Sequence, residues 1–351
     1  MTEDQFENID NNQLSEQSDL YEHHRFEIEA GQTPMRLDKY LVIRLASTSR
    51  NRIQNAATAG NILINDKPVK SSYKIKPGDI VSILLSYPKT EFDLVPEDIP
   101  LDVVYEDDDI IIINKKPGMV VHPSFGHFSG TLVNALAYRF SKLPMFNGEN
   151  VRPGLVHRID KDTSGLLVVC KNEIAINKIA KQFYDHTCKR SYIALVWGNL
   201  KEDSGTITGH IGRNYKNRKI MDVFPDGSYG KEAVTHYKVI EKLGYVNLVE
   251  CKLETGRTHQ IRVHLKHIGH PLFNDADYGG DKILKGTTFT KYKQFVANCF
   301  KELPRQALHA KSLGFIHPRT EKEVFFDSEL PEDMRNCINK WRNYVIQRLE
   351  K

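Results

Sequence analysis

Arg152 to Cys170, reading RPGLVHRIDKDTSGLLVVC, constrains this chain more than any other stretch. Pro153-Gly154 marks a turn, and Leu166 to Cys170 is a short run of apolar and β-branched residues that predicts a buried strand. Between them stand His157, Arg158, Asp160, Lys161, Asp162, Thr163 and Ser164. So many polar side chains beside a core strand cannot all be buried without partners. The loop is therefore either a hydrogen-bonded corner or a reaction site.

A second stretch about a hundred residues later, Thr255 to Gly269, reads TGRTHQIRVHLKHIG. A helix over 259–268 places Ile261, Leu265 and Ile268 on one apolar face, with Arg262 on a flank from which it reaches a carboxylate. His259, His264, His267 and His270 invite a zinc reading. Against it, the Glu of His-Glu-x-x-His is missing and these positions do not converge on one helix face. Together the two stretches supply one aspartate and a counter-ion, with no recognisable metal or cofactor site.

Here a resemblance becomes specific. His157 to Asp160 followed by Thr163 to Leu167, and Gly256 to Arg262, resemble the second and third motifs of the RluA/RluD family of RNA pseudouridine synthases. Lys116 to Pro123 and Gly130 to Leu136 resemble the first, so the similarity covers roughly residues 97 to 330 in the family's order.

No run of about 18 apolar residues exists to span a bilayer, and the acidic, polar N-terminus is unlike a signal peptide. The five cysteines are widely separated and without Cys-x-x-Cys spacing, which reads as reduced cytoplasmic thiols. The net charge of +4 conceals an asymmetry. Residues 1 to 33 hold nine acids and one base, leaving 48 bases against 36 acids in the remainder. A basic body suits a polyanion partner.

Residues 1–33, rich in Asn, Gln, Glu and Asp, read as a disordered acidic arm. Residues 34–86 form a compact basic module. Leu37, Leu41 and Leu45 line one helix, Ser49 is placed to cap a second that stops at Gly60, and turns at Asp66 and Pro77-Gly78 separate short strands. Arg36 to Leu41, Ser49-Arg50, Gly60 to Asn65 and Lys76 to Asp79 resemble an S4 domain, a small RNA-binding module. That resemblance implies phosphate contacts for Lys39, Arg50 and Arg52, which would supply affinity and little sequence choice.

Residues 87–100, with three prolines from Pro88 on, read as a linker to a domain over 101–351. Glu106 to Asp109 are expected to form a solvated hairpin turn, since four successive carboxylates point in different directions. Helices are predicted over 172–188 and after Pro331, strands near 189–198, 233–241 and 245–253, and a last hairpin over 306–327. Arg213 to Lys219 interleaves bases with Tyr215, as contacts to single-stranded RNA require, though a solvated loop fits equally.

The fold expected is α+β: a mixed, mainly antiparallel sheet with peripheral helices, preceded by the small S4-like α/β module. The resemblance implies conversion of uridine to pseudouridine, in which the N1–C1′ bond breaks, the base turns and a C5–C1′ bond forms. No redox change occurs, so no cofactor and no metal are expected. One carboxylate beside C1′ can act as nucleophile, or stabilise charge there and remove a proton. Asp160 is assigned that role, with Asp162 a loop-capping side chain.

By resemblance, Arg262 pairs with Asp160, Tyr192 packs on the base or assists the C5 proton, and Arg158 holds or replaces the extruded nucleotide. His157 and Arg257 are expected substrate contacts. An S4 module joined to this domain, typical of the family's RluD-like branch, implies large-subunit ribosomal RNA as substrate; a cytoplasmic monomer with no membrane partner is the separate expectation. Transfer RNA, or a non-catalytic ribosome-assembly role, are the alternatives. Asn274 to Asp277 depart from the family's usual Gly-Asp pattern, which bears on the substrate branch.

Overall fold

The computed structural model describes residues 21–45, 50–58, 60–85, 95–122, 129–140, 154–215, 217 and 220–349. Two compact units divide the chain, one ending at Asp93 and the other beginning at Leu94.

The first unit contains β1 (Tyr21–Glu27), α1 (Leu37–Arg44), α2 (Arg50–Thr58), β2 (Ile62–Ile64), β3 (Lys67–Pro68) and β4 (Ile80–Leu85). Its sheet runs β1-β4-β2-β3. Leu37, Leu41, Ile53, Ile62, Ile75 and Val81 close its core. β1 corrects the reading of residues 1–33 as a disordered arm, for residues 21–27 pair antiparallel with β4. Ile28 just beyond β1 is buried and Phe26 packs edge-on to Tyr40. A seven-residue strand with two apolar anchors is hidden when composition is averaged over 33 residues. Residues 1–20 lie outside the described residues, as does the proposed Ser49 cap.

The second unit opens with β5 (Val103–Glu106), β6 (Ile110–Lys115), α3 (Leu132–Arg139), β7 (Ser164–Cys170), α4 (Glu173–Tyr184) and β8 (Lys189–Trp197). It continues with β9 (Ser204–Arg213), β10 (Met221–Phe224), β11 (Lys231–Lys242), β12 (Val246–Leu253) and α5 (Gln260–His267). It closes with α6 (Thr290–Glu302), β13 (Leu308–Ile316), β14 (Glu323–Asp327) and α7 (Glu332–Leu349). These strands make one sheet in the order β10-β9-β11-β12-β8-β13-β7-β6-β5, with β14 on β13. Every pairing is antiparallel except β13 with β7, so the sheet is mixed and mainly antiparallel, with the helices at its faces.

Residues 95–99, read above as linker, belong to this unit. Asn134 in α3 donates to the Val95 carbonyl, and Glu97 accepts from the Gly130 amide. The remainder of the expected linker, residues 87–94, lies outside the described residues.

Strand parity decides what each side chain meets. On β6 and β7, Ile111, Ile113, Leu167 and Val169 face α3 and α5, whereas Ile110, Ile112, Leu166 and Val168 face α4. Both faces are covered, which is why these strands read as unbroken apolar runs. β8 splits likewise: Ile193, Leu195 and Trp197 pack on α6 and α7, and Tyr192, Ala194 and Val196 turn to the side of α5. Tyr192 is thereby committed to the face that carries the polar cleft. At Gly165 an added Cβ would lie 2.2 Å from the Ala310 oxygen, and φ is +113°, so only glycine lets β7 approach β13 this closely.

Of the acids at 106–109 only Asp108 is solvated as expected. Glu106 binds Arg139 and Lys171, Asp107 binds His317, and Asp109 takes both nitrogens of Arg319. Asp107, Asp109 and His317 lie close enough to share a cation. However, Arg319 and two backbone amides already satisfy the carboxylates. Among the described residues no helix is long and apolar enough to cross a membrane.

Candidate active site

The loop before β7 is fastened from below. Ile159 is buried in the core beside Leu167 and Ile261, which turns its neighbours Arg158 and Asp160 outward. Lys115, 1% exposed, sends its ammonium to the carbonyls of Lys116, Met119 and Lys161 at 2.8–2.9 Å. Burial pushes the pKa of Lys115 down to about 7, with Asp162 opposing. Three carbonyl acceptors on Nζ favour the ammonium form. Arg305 fastens the other side, donating to the Asp162 carbonyl and to Ser164 Oγ while forking onto Asp333 of α7. The main chain of the loop is thus bound to two distant segments, and the Asp160 carboxylate is oriented by a further contact.

That contact comes from α5. Arg262 Nη1 lies 3.3 Å from Asp160 Oδ2, although the residues are 102 apart in sequence. The rest of the guanidinium forks onto Asp275 at 2.7 and 2.8 Å, and Nη2 reaches Asp277 at 2.6 Å. Burial disfavours the charge on Arg262, but its bonds to Asp275 outweigh this and its pKa is raised. The guanidinium also lies over the Tyr278 ring, 5.0 Å from the centroid. Arg262 is fixed by Asp275 and presents its remaining edge to Asp160.

Asp160, Arg158, Thr163, Tyr192, Leu253, Arg257, His259, Arg262 and Leu308 share a cleft of about 60 Å³. Tyr192 is 8% exposed, and burial pushes its hydroxyl pKa up, Arg190 opposing. Its phenol therefore stays protonated near neutral pH and is a packing surface or donor, not a ready base. Arg158 is exposed on the rim and makes no ion pair with the described residues. Arg257 lines the cleft while its Nε donates to the Glu232 carbonyl.

His157 is a correction. Its ring stacks on Phe183 and its Nε2 accepts from the Val168 amide at 3.0 Å, on the α4 side of the sheet. Burial and the nearby Arg190 lower its pKa to about 3. A neutral ring whose acceptor nitrogen is engaged by the backbone holds the corner of the loop, apart from the lining of the Asp160 cleft. Asp162 does not line the cleft, and the site uses its carbonyl, through Arg305.

In the first unit, Asp38 is completely buried and accepts from Arg36 and Arg50. The Arg36 contacts hold its carboxyl well below the usual range, burial opposing. Arg50 is thus anchored at Nε while half its side chain stays exposed, and Lys39 is exposed beside it in α1. Arg52 stands in α2, its side chain outside the described residues.

Lys115 and Arg305 were not singled out from sequence, His259 was weighed only as a zinc ligand, and Asp275 and Asp277 only as part of a loop that departs from the family pattern. A lysine ending the apolar run Ile110–Ile113 was a usable signal for the first. The partners of the others are fixed only by the fold. The histidines weighed as zinc ligands serve separate neighbours: His259 meets Tyr278, His264 meets Thr235, and His270 meets the Trp197 carbonyl.

Residues 109–267 match the RNA pseudouridylate synthase family, and residues 35–81 match the S4 domain. An RNA pseudouridine synthase of Chlorobaculum parvum is 45% identical over 90% of this chain and 96% of its own length. The ribosomal large subunit pseudouridine synthase D of Zymomonas mobilis is 42% identical over 86% of this chain and 92% of its own. Among solved structures, human RNA pseudouridylate synthase domain containing 1 aligns with a TM-score of 0.51 and 27% identity, covering 69% of this chain and 89% of that one. With such relatives matched from the basic N-terminal module through the cleft of Asp160 and Arg262, the chain belongs to the RluA/RluD family of RNA pseudouridine synthases and carries an S4 domain.

Proposed function

We propose that this enzyme isomerises selected uridines in large-subunit ribosomal RNA, with Asp160 as the catalytic carboxylate. The observation that carries the reading is the partly exposed Asp160 carboxylate in a polar cleft, oriented at 3.3 Å by an arginine that is itself fixed by a buried aspartate. Such a group is preorganised to meet C1′ as the N1–C1′ bond breaks. The base stays in the pocket, and C5 then takes the place of N1.

The ribosomal target is supported by relatives at 40–42% identity that bear that name, and by the S4 domain. Arg50 and Lys39 would contact phosphates there. Five free, buried cysteines suit a cytoplasmic enzyme. The test uses purified full chain with tritium at C5 of uridine in large-subunit ribosomal RNA and, separately, in transfer RNA. Tritium release from ribosomal RNA at discrete mapped positions is expected. Release from transfer RNA alone overturns the substrate assignment, and release from neither overturns the reading.

The cleft of about 60 Å³ is open to solvent on the side where a uracil ring would enter. Of its lining, exposed Arg158 is the side chain best able to move and to stack in the gap that the base leaves. Arg158→Ala is expected to lower single-turnover rate about 10²-fold, the cost of a mispositioned reactant, while RNA affinity by filter binding changes by less than tenfold. A loss confined to affinity would reject the flipping role.

A further inference from the structure

His259 stands at the N-terminus of α5 with φ +55°, a left-handed conformation that histidine adopts only against its usual backbone preference. The strain is held in place by Gln260, which is 3% exposed. Its Oε1 accepts from the Arg257 amide and Thr255 Oγ1, and its Nε2 donates to the Val234 carbonyl and Thr235 Oγ1. A backbone held this firmly at a sparsely populated angle aims the side chain. It aims His259 Nε2 to within 3.9 Å of Asp160 Oδ1, the carboxylate oxygen that Arg262 does not hold.

The proton on that ring can be assigned. Tyr278 Oη accepts from the Met221 amide at 3.0 Å and lies 2.9 Å from His259 Nδ1. The phenol's second lone pair would equally accept from Nδ1, so the choice rests on Nε2, which faces the Asp160 carboxylate and is thereby favoured as the protonated nitrogen, leaving the phenol to donate to Nδ1. Nδ1 is then the acceptor nitrogen, and the imidazole carries its proton on Nε2, facing the cleft. Burial lowers the pKa of His259, Asp160 opposing, so the ring is neutral. This is a neutral donor, oriented by a tyrosine, beside the oxygen that must approach C1′.

We infer that His259 is a catalytic residue whose Nε2–H donates a hydrogen bond to the O2 carbonyl of the extruded uracil, stabilising the base while it is detached from the sugar. The inference rests on the pseudouridine synthase reading above. A reacting C1′ stands about 3–3.5 Å from the attacking oxygen, and O2 is joined to C1′ through C2 and N1. A donor on the open side of Oδ1 is therefore within reach of O2.

When the N1–C1′ bond breaks, its electron pair moves onto the base and spreads over N1 and the carbonyl oxygens, while Asp160 meets the electron-poor sugar carbon. Once the base has turned, C5 supplies the pair for the C5–C1′ bond, the Asp160 carboxylate takes the proton that C5 loses and passes it to solvent, and N1 gains a proton from solvent. His259 gives up no proton. A neutral donor suits this cycle, because a full positive charge there would form an ion pair with Asp160 and draw it from C1′.

The test is single-turnover kinetics with full-length enzyme on RNA carrying uridine, 2-thiouridine or 4-thiouridine at one modified position. Sulfur at C2 weakens the proposed acceptor, and sulfur at C4 is the control. For His259→Ala the rate is expected to fall about 10²–10³-fold, the usual cost of losing such a donor, with RNA affinity within threefold. Wild type is expected to slow on 2-thiouridine, and His259→Ala to show no further slowing. Such non-additivity is not produced by a merely structural role.

His259→Asn tolerates the left-handed backbone but cannot reach O2, so it carries the test should the alanine variant unfold. Tyr278→Phe, which releases the tautomer, is expected to slow turnover by less. Variants within threefold of wild type, or an undiminished 2-thio effect in them, overturn the role of His259 alone. Absence of turnover by wild type itself overturns the reading beneath it.

Discussion

Asp160→Asn is expected to fold, bind RNA as wild type does, and lose at least about 10³-fold in pseudouridine formation. Asparagine keeps the shape of the side chain and an oxygen for Arg262 Nη1, so the cleft is left standing. What disappears is negative charge at the atom that meets C1′. An amide oxygen neither attacks that carbon readily nor stabilises charge on it, and losing a central member of a catalytic set costs several powers of ten.

Asp162→Asn is the matched control. Its carboxylate lies outside the cleft and its working group is a carbonyl, which the substitution leaves in place. Activity within about threefold of wild type is expected there. Tritium release from C5 and filter binding on the same RNA separate the two outcomes. Turnover by Asp160→Asn within tenfold of wild type would remove Asp160 from the chemistry.

The Asp160–Arg262 pair was legible in sequence because both residues sit in short motifs whose order is distinctive. The face of Tyr192 follows from strand alternation along β8. What sequence left out shares one property: each missed group acts through a partner that only the fold brings near. Asp275 and Asp277 read as an acidic loop until Arg262 is placed between them. Arg319 neutralises Asp109 from 210 residues away, so a solvated turn was a fair but mistaken expectation.

His157 failed for the converse reason. Its motif position suggested contact with RNA, but Ile159 enters the core, and the side chain two residues earlier falls on the opposite side of the loop, against Phe183. Polar motif residues thus divide into those that do chemistry and those that hold the loop. Burial and partners distinguish them, and neither is printed in the order of residues.

Arg262 belongs to both groups, and a cycle of variants can separate its two roles. Its side chain is 5% exposed and its fork matches Asp275, which is 0% exposed. Arg262→Ala would leave Asp275 as a buried, unpaired carboxylate, a change that costs about 3–5 kcal/mol. A lower urea midpoint and loss of activity are both expected. Arg262→Lys restores charge but not the fork, so it cannot hold Asp275 by two bonds and still reach Asp160.

Combining Arg262→Met with Asp275→Asn removes both charges at once. Replacing a buried ion pair by neutral groups is often near neutral for stability, and asparagine keeps an acceptor for the Tyr278 amide that Asp275 now serves. The double variant is expected to regain most of the lost stability and none of the activity, because Asp160 still lacks its orienting nitrogen. Recovery of turnover along with stability would mean that Arg262 only holds the fold, and that Asp160 works without it.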